Sequence, residues 1–412
     1  MLQYIHYNND EVCPVNPIQR YFLTLLSCAL SGAVPPEGNF SPDEWDSLFR
    51  LARAQKTLPL IFEALCRTPE GKSLPQTPGL KREVVSQVIR QTQKTLQLHR
   101  VLEALTAAGL QPLVVKGLVC RNLYPQGDHR PSSDEDILIP PEQFDRCHEV
   151  LLSLGMIPEG DPSSGAYEIP YRQKNGVLYI ELHRSLFPPE SDAYGSLNRF
   201  FTRARETAVS LQGIPTLEYT DNLFYLICHA FKHFLHSGFG LRQVCDIVLF
   251  ARAYEAQIHW PRLLENCRAI RAERFAAAVF RIGQNHLALG EVPGIFRDIP
   301  AEEEPMLLDL LNAGIYGGAT MSRRHSSNIT LDAVAGKNGG RQNSLLVSLF
   351  PPAKKLEGRY PYLKERPWLL PAAWASRIGS YLKESPSGNS AAEALKIGND
   401  RVELLKFYHI LP

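Results

Sequence analysis

Three things are scarce in this 412-residue sequence: close-spaced cysteines, long apolar runs and any excess of one charge. The eight cysteines (Cys13, Cys28, Cys66, Cys120, Cys147, Cys228, Cys245 and Cys267) never come closer than 15 residues, which excludes a CxxC zinc or redox site. Most have apolar neighbours, the pattern of buried thiols in a reducing compartment, so a cytoplasmic location is expected. No stretch reaches the roughly 20 apolar residues of a spanning helix. The strongest, 21–34, faintly resembles a signal-peptide core but places Phe22, Leu23, Leu26, Ala29 and Leu30 at helical spacing, and it is read as an amphipathic core helix. Lys+Arg number 44 against 43 Asp+Glu, a net charge of +1, so no global field draws the chain onto nucleic acid or an anionic membrane. With 44% hydrophobic and 21% charged residues, disorder and collagen-like structure are excluded as well.

What is present falls into four regions. Residues 1–109 are patterned as helices: Ser41-Pro42-Asp43-Glu44 combines an N-cap, a first-turn proline and first-turn acids. A long helix is expected from about Leu80 to Gly109, with Val84, Val85, Val88, Leu96, Leu102 and Leu105 on its apolar side. Residues 110–219 change period. Strands are expected at 113–115, 134–139, 167–172 and 177–183, the last two joined by a turn at Lys174-Asn175-Gly176, with helices at 117–123 and 141–154. Residues 220–312 return to helices, at 221–236, 241–254, 260–272, 275–289 and 302–311. Residues 313–412 begin with a glycine-rich loop and carry a basic stretch: 323–384 holds eleven Lys/Arg against four Asp/Glu. The fold class is α+β, a small mixed sheet between helical regions.

The chemistry concentrates in the second region. Along a strand, side chains alternate faces, so Asp134 and Asp136 point the same way and Glu135 the other. Paired carboxylates on one edge suit two Mg²⁺ ions in phosphoryl chemistry, although a solvated strand edge accounts for the same spacing. In 177–183, Val177, Tyr179, Glu181 and His183 share a face opposite Leu178, Ile180 and Leu182. If the strands are neighbours, Glu181 brings a third carboxylate, and three together call for cations or raised pKa values.

The segments LVVKGLVCRNLYP, RPSSDEDILIPPEQFDRCHEVLLSLGM, YIELH and CHAFKH followed by LRQVCDIVLFAR resemble the bacterial family of uncharacterised nucleotidyltransferases, with a DNA-polymerase-β-type core. The resemblance implies transfer of a nucleoside monophosphate from Mg-NTP to an acceptor hydroxyl, with two Mg²⁺ ions, Mn²⁺ as the alternative, and ATP as the default nucleotide. It implies a metal set of Asp134, Asp136 and Glu181, and nucleotide contacts from Lys116, Gly117 and Arg130. The acceptor stays open between a small molecule, a protein and RNA. Two departures stand out: Gly117 is followed by Leu118 where such proteins carry Ser or Gly, and Glu135 sits between the aspartates where an apolar residue is usual. Burying Glu135 unpaired would be costly.

A second constellation is His229, His233 and His236, which share a helix face, with Asp246 able to complete a metal set. Ala230 follows His229, so this is no HExxH protease motif. As structural or substrate-facing groups instead, His229 and His233, with His183 and Asp246, are placed near a cleft between the core and the C-terminal region. The basic stretch, interleaved with Tyr360, Tyr362 and Trp368, suits bases or polyphosphate as well as a solvated surface. Trp368, Leu369, Leu370 and Trp374 suggest an anchoring helix packed on the core. Besides the transferase, two other functions fit the sequence: a weak or inactive nucleotide-binding assembly protein, and a His/Asp metal hydrolase built on His229, His233 and Asp246.

Overall fold

In a computed structural model, described for residues 15–191, 195–236, 238–313, 330, 353–356, 360–363, 365–376 and 390–411, local capping sets the first helices. Helix α1 (Pro17–Ser31) begins where Asn16 Oδ1 accepts from the Gln19 N–H at 2.8 Å and Gln19 returns the bond, and it ends on Gly32 at φ +81°. Helix α2 (Pro42–Ala54) starts as its sequence predicts, with the Glu44 carboxylate accepting from both the N–H and the hydroxyl of Ser41. Two short helices, α3 (Leu58–Leu65) and α4 (Pro69–Ser73), lead to α5 (Thr77–Ala107), which is closed by Gly109 at φ +72°.

Helix α5 differs from its expected face. Val85 and Leu96 are exposed at 46% and 59%. The buried side instead runs Val84, Gln91, Leu98, Leu105 in steps of seven, so mid-helix it presents Gln91 and Lys94 inward. Polar residues lie there because they face the loop that enters the sheet.

That sheet has five strands: β1 (Leu113–Val115), β2 (Glu135–Leu138), β3 (Met156–Pro158), β4 (Glu168–Gln173) and β5 (Tyr179–His183), in the order β1-β2-β5-β4-β3. Strands β2 and β5 are parallel and the other pairs antiparallel. Helix α6 (Gly117–Arg121) follows β1, and α7 (Phe144–Ser153) follows a 3₁₀ turn at Pro141–Gln143. Asp134 lies one residue before β2, not within it as the sequence reading had it. A two-stranded hairpin that the reading lacked, β6 (Val209–Leu211) and β7 (Ile214–Thr216), turns on Gln212 and Gly213, both at positive φ. Its Thr216 hydroxyl donates to the Val114 carbonyl at 2.6 Å, fastening the hairpin to β1.

The helical remainder comprises α8 (Tyr219–His236), α9 (Leu241–Ala253), α10 (Trp260–Ala269), α11 (Glu273–Leu287), α12 (Gly294–Arg297), α13 (Glu304–Ala313), α14 (Ala353–Leu356) and α15 (Ser390–Phe407). One cluster of buried apolar side chains runs from Val15 to Leu411 and joins these helices, α14 excepted, to the sheet. A separate small cluster gathers Leu356, Leu363 and Ala373, with Leu369, Leu370 and Trp374 packed on it; Trp368, expected to help anchor it, is 72% exposed. The glycine-rich loop at 314–343 lies outside the described residues except at Thr330, as does much of the basic stretch. Among the described residues no helix is long and apolar enough to cross a membrane, and the seven described cysteines are unpaired.

Candidate active site

The register of two parallel strands builds the site. Asp136 of β2 stands opposite Glu181 of β5, and on the flanking strand it faces Val115 of β1, the residue before Lys116. Asp134, at the approach to β2, reaches the same edge through Lys116: the ammonium lies 3.3 Å from Asp134 Oδ2 and 3.0 Å from Asp136 Oδ2. One cation thus spans both aspartates. Burial opposes charge on Asp134, but Lys116 and Arg242 beside it outweigh that and hold its carboxyl down at about 2. Glu181 goes the other way. Burial, then the charges of Asp136 and Asp134, push it up to about 7.

Two backbone features bring Lys116 there. Lys116 has φ +50° and ψ −127°, a conformation side chains rarely adopt, and Gly117 follows at φ +34°. A Cβ on Gly117 would collide with Glu135 Oε2 on top of a positive φ, so any other residue is strained at this position. Glu135 has the partner its burial demands: Oε1 accepts from Arg121 Nη1 and from the Ser132 hydroxyl, both at 2.6 Å, in a pair that is fully buried. The Glu135 carboxylate therefore braces the turn from below.

The loop from Arg130 to Ser133 is held from three directions. From α5, Lys94 Nζ donates to the Ser132 and Ser133 carbonyls at 2.7 and 3.0 Å, and Gln91 Oε1 accepts from the Ser132 N–H. From the α2–α3 turn, Lys56 donates to the Ser133 hydroxyl at 2.8 Å. From α9, Arg242 donates to the Pro131 carbonyl, and Asp246 takes both forks of Arg130 at 2.8 and 2.6 Å while accepting from Tyr124. Burial lowers the pKa of both Lys56 and Lys94.

Arg130 therefore lines the cleft with its charge already matched by Asp246. The same pairing separates Asp246 from the histidines, and among the described residues no metal-binding group forms from His229, His233 and Asp246. His229 lines the cleft, where its Nε2 accepts from Lys116 at 3.2 Å. Burial and then Lys116 keep its ring neutral. His233 stacks edge-on against His229 at 4.7 Å, and burial holds it down to about 3; burial lowers His236 as well.

A different mixed group does come together. Asp136, Glu181 and His183 offer donor atoms within 4.8 Å of one another. His183 is a residue the sequence placed only near the cleft. Lys56, Lys94 and Arg242 have no signal in the sequence, because each acts across a tertiary contact with no local motif.

The core thus carries an acidic strand edge facing a lysine-glycine turn. The chain belongs to the uncharacterised nucleotidyltransferase family, whose sequence profile matches residues 41–287, more than half of its length and the whole of this site. That membership places it among transferases that act on a nucleotide. No curated protein and no solved structure matches the chain.

Proposed function

We propose that the protein transfers a nucleoside monophosphate from a magnesium-bound nucleoside triphosphate to an acceptor hydroxyl. The observation that carries this reading is the register of β2 on β5, which puts Asp136 beside Glu181 at the edge that Asp134 and Lys116 share. The donor set fits divalent cations. Three carboxylates converge, and burial, then the charges of Asp136 and Asp134, raise the pKa of Glu181; bound cations would relieve the repulsive part.

Asp134 and Asp136 would hold the ions and Glu181 would complete the set; two Mg²⁺, or Mn²⁺ in their place, would neutralise the triphosphate and acidify the acceptor hydroxyl. The chain's own residues do the rest. Gly117 sets the turn over Glu135 that carries Lys116, and Lys116 supplies a positive charge to a phosphate. Arg130 is assigned to shaping the loop, since Asp246 holds its guanidinium. In the reaction the acceptor oxygen bonds to the α-phosphorus and the bond to the oxygen bridging the β-phosphate breaks. Pyrophosphate leaves with the electron pair, and the acceptor's proton passes to the Glu181 carboxylate. The cleft bordered by Lys116, Gly117, Asp134, His229 and Arg242 encloses about 20 Å³, room for one water.

Titration of ATP, GTP, CTP and UTP with Mg²⁺ into the wild type and into the Asp134→Ala, Asp136→Ala double variant tests the reading. Metal-dependent binding of a nucleotide by the wild type alone supports it, and absence of binding by the wild type rejects it. One observation favours a second reading, a nucleotide-binding protein with little turnover: the Lys116 ammonium already occupies the gap between the aspartates. Nucleotide binding without pyrophosphate release across a panel of acceptors would select it.

A further inference from the structure

Around His183 the site has a feature that three carboxylates do not explain. His183 is at the end of β5, with its side chain 4% exposed and its Nε2 turned to the acidic edge. Nε2 lies 3.1 Å from Asp136 Oδ1 and 3.9 Å from Glu181 Oε2. Donors held at about 2.1 Å from one ion stand roughly 3 to 4 Å apart, so Nε2 is spaced from each carboxylate as a fellow ligand of one cation would be, and in the metal-free protein its 3.1 Å contact with Asp136 is a hydrogen bond. The other ring nitrogen, Nδ1, is buried without a hydrogen bond and has Glu168 Oε2 at 3.6 Å. Glu168 is there by register, being the β4 residue opposite His183. A carboxylate behind a histidine is the usual means of fixing the tautomer that presents the opposite nitrogen to a metal.

We infer that Asp136, Glu181 and His183 form a cation site selective for a first-row transition ion, Mn²⁺ in preference to Mg²⁺, with Glu168 as the positioning residue behind His183. The inference rests on the transferase reading for the site's location and adds the nitrogen ligand and the ion class it selects. The chemical ground is the donor set: imidazole is a poor ligand for Mg²⁺, which takes oxygen and retains its waters, whereas the first-row transition ions bind nitrogen better, Mn²⁺ the weakest of them but ahead of Mg²⁺. Carbonyl and carboxylate sites discriminate little between the two ions. An imidazole tips the balance.

The test is Mn²⁺ binding to the full chain, followed by electron paramagnetic resonance, with the spin-echo envelope of the bound ion read for ¹⁴N modulation. The wild type should bind Mn²⁺ against about a hundredfold excess of Mg²⁺ and show nitrogen coupling. His183→Asn should lose the coupling and weaken Mn²⁺ binding by about 10- to 100-fold. Glu168→Gln should keep the coupling with a smaller loss of affinity, and it serves as the second variant should His183→Asn fold poorly. Bound Mn²⁺ without nitrogen coupling, or displaced by equimolar Mg²⁺, would overturn this inference and leave the transferase reading standing. No Mn²⁺ or Mg²⁺ binding by the wild type, with or without nucleotide, would remove both.

Discussion

Gly117 lies directly over the carboxylate of Glu135, so closely that no Cβ fits between them. The contact joins the turn that positions Lys116 to a buried ion pair beneath it, and it makes the turn sensitive from both sides. Gly117→Ala, which adds a collision to a positive φ, is expected to destabilise by about 1–3 kcal/mol. Arg121→Met leaves Glu135 buried without its cation and is expected to cost about 3–5 kcal/mol. Chemical denaturation of both variants checks these values, and nucleotide titration should show weakened binding in Gly117→Ala.

The Arg130–Asp246 pair gives a second prediction. Both side chains are at most 5% exposed and their forks match. Removing either partner alone, by Arg130→Met or Asp246→Asn, should destabilise by about 3–5 kcal/mol, while the double variant should lose markedly less than the sum. A double-mutant cycle measured in urea reads the coupling directly. Additive losses would show that the pair is not the unit described.

Lys116 should act in opposite directions on metal and nucleotide. Its ammonium lies between Asp134 and Asp136. Lys116→Met is expected to raise Mg²⁺ affinity of the nucleotide-free protein, by about tenfold, because a competing cation is gone, and to lower nucleotide affinity because a phosphate partner is gone. Two calorimetric titrations, one with Mg²⁺ and one with Mg-ATP, separate the effects.

Glu181 predicts a pH-dependent stability in the metal-free protein. Burial, then Asp136 and Asp134, raise its pKa from 4.5 to about 7. A carboxyl raised on folding contributes stability that is present below its unfolded pKa and is lost as pH rises through the folded value. Wild type should therefore lose stability across about pH 4.5 to 7, and Glu181→Gln should not share that part of the loss. The difference in melting temperature, variant minus wild type, is expected to grow over that window and then level off.

Sequence periodicity carried the reader far into this site and stopped at identifiable points. Alternation in 177–183 placed Glu181 and His183 on one face, with Ile180 and Leu182 buried behind them as expected. The cost of burying Glu135 was readable, but its partner was not, since Arg121 comes from a short helix with no charge pattern of its own. Asp134 was taken as a strand residue because spacing two apart suits a strand, whereas Lys94 and Gln91 hold the preceding loop out of the ladder. Strands of three residues, such as β3, β6 and β7, are too short for alternation to register. The contact of His183 with Glu168 needed the register of a hairpin, which a sequence pattern leaves undetermined.

The grip of Lys56, Lys94 and Arg242 on the loop before Asp134 changes where the entropy of an ordered site is met. Fixing four loop residues costs roughly 4–8 kcal/mol of backbone freedom. Here the helices absorb that cost during folding, so an arriving ligand does not have to order the loop from a disordered state. The amide protons of Arg130 and Ser132, both hydrogen-bonded, should then exchange as slowly in the ligand-free protein as those of the helices that grip the loop. A substitution far from any ligand, Lys94→Met among them, would return part of the ordering cost to the binding step and surface as a loss of affinity in a protein whose reacting groups are all intact.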